Sequence, residues 1–225
     1  MKKTLYDCPK CVGEYSAIKY GKTNQGKQRY KCKKCSSTFL KSYSYKAYET
    51  STNSTIKVLL KEGVGIRSSA RIIGISKNTV ISRILKIASR IKKPFIPFGR
   101  AYELDELCTF IQVKKKGRYW LAYAIDKQTR DPVDFKVGKR TNKTLRHVVN
   151  TLLLSKARRI YTDKLRNYKY LIPEDIHCTK WRGTNGIENK NLCIRTHLRR
   201  LQKKTICFSK TQVMLVACLK IFFWG

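Results

Sequence analysis

A chain of 225 residues that sets 50 Lys and Arg against 14 Asp and Glu carries a formal net charge of +36, which repels itself unless a polyanion lies against it. The cations run along the whole chain instead of clustering beside an amphipathic or lipidated segment, which argues against a membrane surface and for nucleic acid as the partner. With 42% hydrophobic residues a real core can form, in one large domain or two to three small ones, so a disordered basic tail is excluded.

The opening MKKTLYDCPKC is basic but has no apolar run behind it, unlike a secretory signal. The longest apolar stretch, residues 213–224, contains Lys220 and is too short for a membrane span. A cytoplasmic protein associated with DNA is expected. Nine cysteines, an odd number without a leader, favour metal binding or buried thiols over a disulfide framework.

Four of them form CPKC and CKKC, with 20 residues between Cys11 and Cys32. Each pair sets two thiolates on a tight knuckle, and Cys8, Cys11, Cys32 and Cys35 together make a closed tetrahedral site for a structural Zn2+. A redox dithiol is the competing reading, but no βαβ pattern surrounds the pairs. Between them, YGKTNQGKQRYKC reads as a hairpin, with Lys27, Arg29 and Lys31 alternating on one strand face. Residues 1–40 are therefore expected to be a zinc ribbon. Cys108, Cys178, Cys193, Cys207 and Cys218 mostly have apolar neighbours and read as core thiols.

Residues 41–54, rich in Ser, Lys and Tyr, read as a linker. Three helices follow, over 55–62, 66–73 and 76–92, the last with Val80, Ile84, Ile87 and Ile91 at helical spacing. Ala70, Gly74 and Val80 suit the close approach, left-handed turn and apolar angle of a helix-turn-helix. Ser76 caps the third helix, whose first turns offer Lys77, Asn78, Thr79 and Arg83 to a DNA groove. Any three-helix bundle can show the same pattern. Pro94 and Pro97 end this 41–94 domain.

From Tyr102 onward the periodicity is that of strands: YELDELCTFIQV, RYWLAYAID and PVDFKVG form a meander, followed by the helix NKTLRHVVNTLLL and a short strand, RRIYTD, ending at Asp163. Residues 185–202 read as one helix, with Ile187, Ile194, Leu198 and Leu201 on one face and Glu188, Arg195 and Arg199 on the next. The class is multidomain α+β, with a mixed-sheet α/β domain over 95–225. Asp105, Asp163 and Glu188 occupy positions that can converge at a sheet edge, where carboxylates suit Mg2+ or Mn2+. Two such ions would serve in-line attack at a phosphodiester. Surface salt bridges with the abundant Lys and Arg are the alternative, and pattern alone does not choose.

The whole chain resembles the transposases of the short bacterial insertion sequences of the IS-one family. The resemblance rests on CPKC and GKQRYKCKKC, ARIIGISKNTV, ELDE, YTD and IENKNLCIRTHLRRLQKKTICFSKT, in that order. It implies a ribonuclease-H-like domain whose Asp, Asp, Glu triad falls on Asp105, Asp163 and Glu188. Fifty-seven residues lie between the first two and twenty-four between the last two. The family's basic residue seven positions after the glutamate falls on Arg195, and His197 and Arg199 lie in the stretch that would meet transposon-end DNA or the scissile phosphate. The ending ACLKIFFWG departs from the family's polar finish. Glu103 and Glu106 flank Asp105, and the family pattern favours Asp105 as the ligand.

The implied activity is binding of terminal inverted repeats, metal-dependent strand cleavage and 3′-hydroxyl strand transfer, by a homodimer or larger assembly that holds two double-stranded ends. A DNA-binding regulator with a decayed catalytic domain is the competing reading. A recombinase with a Tyr or Ser nucleophile is weaker, because no Arg, His and Tyr constellation is in order.

Overall fold

A computed structural model of the chain describes residues 8–11, 17–24, 26–43, 45–112, 117–180, 182–202, 204–205 and 207–225. The basic opening, Gln25 in the expected hairpin turn, Val113 at the end of an expected strand, and Lys203 and Ile206 in the last matching segment lie outside the described residues. The chain divides into two compact units, Met1–Glu49 and Thr50–Gly225.

The first unit is an antiparallel sheet of β1 (Ala17–Lys22), β2 (Gln28–Cys32) and β3 (Thr38–Leu40), in that order. At the β1–β2 turn Gly26 has φ 78° and donates its N–H to the Thr23 carbonyl at 2.8 Å, a conformation that side chains with a Cβ rarely adopt. Tyr30 on β2 pairs with Phe39 on β3, and their rings stack with centroids 6.0 Å apart. With Cys8 and Cys32 these two rings form the unit's small buried core. Arg29 and Lys31 alternate as expected, and both stand over the Tyr20 ring, at 5.5 and 5.2 Å.

The second unit begins with α1 (Thr52–Lys61), α2 (Ile66–Ile73) and α3 (Lys77–Arg90). Gly74 ends α2 with φ 75° and returns its N–H to the Ala70 carbonyl at 2.9 Å. Ser76 Oγ accepts from the Thr79 N–H at 3.1 Å and starts α3. Ala70 and Val80 are buried between the helices.

The sheet of this unit is built from β4 (Ala101–Phe110), β5 (Arg118–Asp126), β6 (Pro132–Gly138), β7 (Arg159–Tyr161) and β8 (His177–Cys178), in the order β6-β5-β4-β7-β8. β4, β5 and β6 are antiparallel neighbours, while β7 runs parallel to both β4 and β8. α4 (Asn142–Leu154) links β6 to β7, and the four-residue α5 (Arg166–Lys169) links β7 to β8. Tyr102, Leu104, Ala122 and Ala124 pack with Leu145, Val148, Val149 and Leu152 of α4 and Tyr168 of α5 into the main core. α6 (Asn185–His197) and α7 (Gln212–Trp224) follow. α6 packs on β4, and α7 packs on α1, α3 and β6. α7 is apolar over most of its surface, Gln212 and Lys220 excepted, because it is covered by more than one element. Its Trp224 Nε1 donates to the Pro132 carbonyl at 2.7 Å, and the Gly225 carbonyl accepts from Lys61 Nζ at 2.6 Å.

Three sequence readings need correction. The helix expected to run through 202 ends at His197, because Leu198 (φ −105°, ψ 86°) leaves helical geometry and a 3-10 turn, Arg199–Leu201, follows. Arg199 thus no longer continues the face of Glu188 and Arg195. The strand expected to reach Asp163 stops at Tyr161. Among the five remaining cysteines, Cys178 and Cys218 are buried, but Cys193 and Cys207 are exposed; apolar neighbours in sequence do not fix which side of a helix or loop faces inward.

Leu219 is fully buried on α7. Leu219→Ala is expected to destabilise the Thr50–Gly225 unit by about 2–4 kcal/mol, read from the denaturant midpoint at unchanged m-value.

Candidate active site

The short β7 pairs with β4 only from Ala101 to Glu103. Past Glu103 that edge of β4 has no strand partner among the described residues until the single bridge of Ile111 to Ser209. Parallel register sets Tyr161 opposite Glu103, so two residues further on the chain carries Asp163 toward Asp105. Alternation sends Asp105 and Glu106 to opposite faces of β4, and at an unpaired edge both side chains can reach round to Asp163. One carboxylate oxygen from each of Asp105, Glu106 and Asp163 lies within 4.8 Å of the others.

Each acid is held differently. Asp105 Oδ2 accepts from Asn191 Nδ2 of α6 at 2.6 Å, and its Oδ1 accepts from the Glu106 N–H at 2.7 Å. The Asn191 Oδ1 accepts in turn from the Tyr123 hydroxyl at 2.8 Å. Glu106 accepts from the Tyr168 hydroxyl and, at 3.2 Å, from Arg140 Nη2, whose guanidinium stacks 4.4 Å over the Trp120 ring. Asp163 is exposed and accepts from the Leu165 N–H at 3.0 Å. Burial pushes Asp105 up to about 6, opposed by its two hydrogen bonds and reinforced by the charges of Glu106 and Asp163. Burial also raises Glu106, against the pull of Tyr168 and Arg140. The same burial, with the Glu106 charge beside it, raises Tyr168 and keeps that phenol a neutral donor.

The cation surplus makes the pairing of acids informative. Glu103, Glu106, Asp126 and Asp134 each have a Lys or Arg within 4.0 Å. Asp105, Asp163 and Glu188 make no ion pair among the described residues. The salt-bridge alternative therefore does not account for these three, and the cluster's hard oxygen donors fit Mg2+ or Mn2+.

Glu188 lies in the first turn of α6, exposed, with Oε1 accepting from Thr184 Oγ1 at 3.0 Å. It is not in the close three-acid cluster; Asn191, one turn further along the same helix, is what touches Asp105. Arg195, a further turn on, has a buried Nε with no hydrogen-bond partner among the described residues. The His197 ring lies 6.3 Å from that of Phe222, and Arg199 is exposed beyond the helix. On α3, Lys77 and Asn78 are exposed, while Thr79 and Arg83 are half-buried.

In the first unit, Cys8, Cys11, Cys32 and Cys35 bring their sulfurs within 4.8 Å of one another. The Cys8 and Cys35 sulfurs are 3.6 Å apart. Ser37 beside Cys35 holds that thiol down to about 6, while hydrogen bonding to Cys35 pushes Cys11 up to about 12. Four converging sulfurs fit a closed thiolate site.

Sequence reasoning passed over Glu106 as a ligand and did not single out Asn191, Tyr123, Tyr168 or Arg140. For Asn191 a trace existed, since it stands three residues after Glu188 and so on nearly the same helical face. Tyr123 stands directly opposite Asp105 in the β4–β5 register, a pairing that only the strand register reveals, and for Glu106 the early end of β7 is what lets it join the cluster.

A carboxylate raised on folding costs stability above its folded value, and the cost fades as pH falls toward the ordinary 3.8. In metal-free protein Asp105→Asn is therefore expected to melt higher than the parent at about pH 8, with the advantage shrinking by about pH 4. Paired thermal melts check this; an advantage that grows on acidification contradicts the burial of Asp105.

Residues 100–219 match the family described as IS1 transposase. The insertion element iso-IS1n protein InsB of Shigella dysenteriae is 35% identical over 109 residues, which cover 48% of this chain and 82% of that protein. The matched region spans β4 to α7 and includes Asp105, Glu106, Asp163, Glu188 and Asn191. The chain belongs to the IS1 transposase family.

Proposed function

We propose that this chain binds the inverted repeats at the ends of an insertion element, cleaves a strand there and joins the freed 3′-hydroxyl to target DNA. The observation that carries the reading is the convergence of Asp105, Glu106 and Asp163 at the open edge of β4, where Asp105 and Asp163 have no ion pair among the described residues while buried Glu103, Asp126 and Asp134 are each paired with a cation. The strand order β6-β5-β4-β7-β8, with the first acid on the central β4 and the second just past β7, supports a ribonuclease-H-like domain over 95–225.

In this reading Asp105 and Asp163 hold one or two Mg2+ or Mn2+ ions, with Glu188 completing the set from α6. Ions bound there would activate the attacking oxygen and stabilise the leaving one in an in-line displacement. Asn191 and Tyr123 keep Asp105 oriented, and Tyr168 and Arg140 do the same for Glu106. Arg195 offers a guanidinium to the scissile phosphate, and His197 and Arg199 extend that basic surface along the DNA.

The three helices 52–90 are read as a helix-turn-helix, with Lys77, Asn78, Thr79 and Arg83 toward a DNA groove. Cys8, Cys11, Cys32 and Cys35 are read as a zinc ribbon, whose ion contributes folding energy to a unit with few apolar residues to bury. Holding two ends together calls for a homodimer or larger assembly on DNA.

Asp163→Asn is expected to reduce Mg2+-dependent nicking and joining of end DNA by roughly 100-fold or more, with end binding within a few-fold of the parent. Joining at the parental rate sinks the assignment. Cys32→Ser is expected to lose bound zinc and weaken end binding, with cleavage falling only as a consequence; normal binding by zinc-free protein overturns the ribbon's role. End-binding affinity is expected to fall with salt at a logarithmic slope of roughly 0.9 per phosphate neutralised, measured by titration at several salt concentrations.

A further inference from the structure

Glu103 is fully buried on β4, two residues before Asp105 and so on the same face of the strand. Its Oε1 accepts from Lys127 Nζ at 2.9 Å and from Arg130 Nη1 at 2.6 Å, the two cations of the β5–β6 turn. Its Oε2 accepts from the Ile187 N–H at 2.8 Å. That N–H lies in the first turn of α6, where no helical carbonyl is available to it.

The helix lacks a cap of its own. Thr184, at the N-cap position, makes no side-chain capping bond, and its hydroxyl donates to Glu188 instead. The cap is supplied from across the sheet by Glu103. Lys127 extends the connection, since Nζ also donates to the Gly183 carbonyl at 2.7 Å and stands 4.1 Å over the ring of Tyr161, the last residue of β7. Gly186 allows the close approach. A Cβ there would collide with the Arg130 guanidinium and come within 2.9 Å of Glu103 Oε2.

From this geometry we infer that Glu103, Lys127, Arg130 and Gly186 form a positioning latch that fixes the start of α6 on β4, and so sets Asn191 against Asp105 and fixes the helix turn that carries Glu188. The inference rests on the functional reading given above, in which Glu188 serves the metal site. A buried ion pair retained only for stability is replaceable by neutral groups at little cost. A latch is not, because the N-terminal turn it holds carries a ligand.

The test uses full-length Glu103→Gln, which keeps an acceptor for Ile187 but loses the charge that holds Lys127 and Arg130. Gly186→Ala serves as a second variant that retains every charge. Two quantities are read: amide hydrogen exchange in the first turn of α6, and Mn2+ binding by calorimetry in the absence of DNA. Both variants are expected to exchange the Ile187 and Glu188 amides at least about tenfold faster and to bind Mn2+ at least about tenfold more weakly, with exchange in α4 unchanged. A folded variant with parental Mn2+ affinity, or with parental exchange at Ile187, overturns the latch. If Glu103→Gln does not fold, Gly186→Ala decides alone. Parent protein that binds no Mn2+ sinks the functional reading and the latch's role with it, whereas parent that binds beside unaffected variants sinks only the latch.

Discussion

A strand that stops after three residues leaves its neighbour's edge unpaired, and β7 does this to β4 beyond Glu103. The rest of the candidate site depends on that early stop. Had β7 continued in register, Asp163 would have been a ladder residue beside Asp105, and Glu106 would have remained behind the sheet. Instead the backbone turns away through an Asx-type contact, Asp163 Oδ1 to the Leu165 N–H. The space left over admits two adjacent β4 side chains from opposite faces, and three carboxylates share one edge.

Gathering three acids is unfavourable unless charge is neutralised, and the chain's +36 offers an obvious remedy in Lys and Arg. The structure applies that remedy selectively. Glu103 receives two cations and Glu106 one, while Asp126 and Asp134 are paired with Arg100 and Lys93. Asp105 receives a neutral amide from Asn191 instead, and burial pushes it up to about 6. Neutral donors orient a carboxylate without satisfying its charge, so among the described residues Asp105 is left without a cationic partner at the unpaired stretch of β4.

Much of this fold was legible because its periodicities are clean. Helices α1 to α4 and strands β4 to β6 follow from spacing and punctuation, and Gly74 and Ser76 mark their turn by mechanisms that act locally. The four-residue α5 and two-residue β8 are too short to carry a period and exist because the core of Tyr168, Leu171 and Ile172 needs covering. The end of α6 at His197 was missed because Leu198 and Leu201 remain buried even after the helix gives way to a 3-10 turn, so the apolar pattern continues while the geometry changes. Asp105 and Asp163 could be found from the scarcity of acids and their places at strand positions. Glu106 was set aside because the family pattern favours Asp105, and nothing in the sequence shows that the early end of β7 lets both adjacent acids reach one edge.

The apolar ending has a structural use that its departure from a polar finish did not suggest. α7 packs against α1 and α3 on one side and β6 on the other, with Trp224 bonded to the start of β6 and Gly225 to the end of α1. The helices proposed to meet DNA and the sheet that carries the acids therefore belong to one compact unit, joined through buried apolar surface. Precise placement of a phosphodiester beside a catalytic group is worth a large part of the barrier to reaction. Because α3 and β6 both pack on α7, a strand bound at Lys77 and Asn78, as proposed, would be referenced to the same helix that packs on the sheet's β6 side, without an ordered linker.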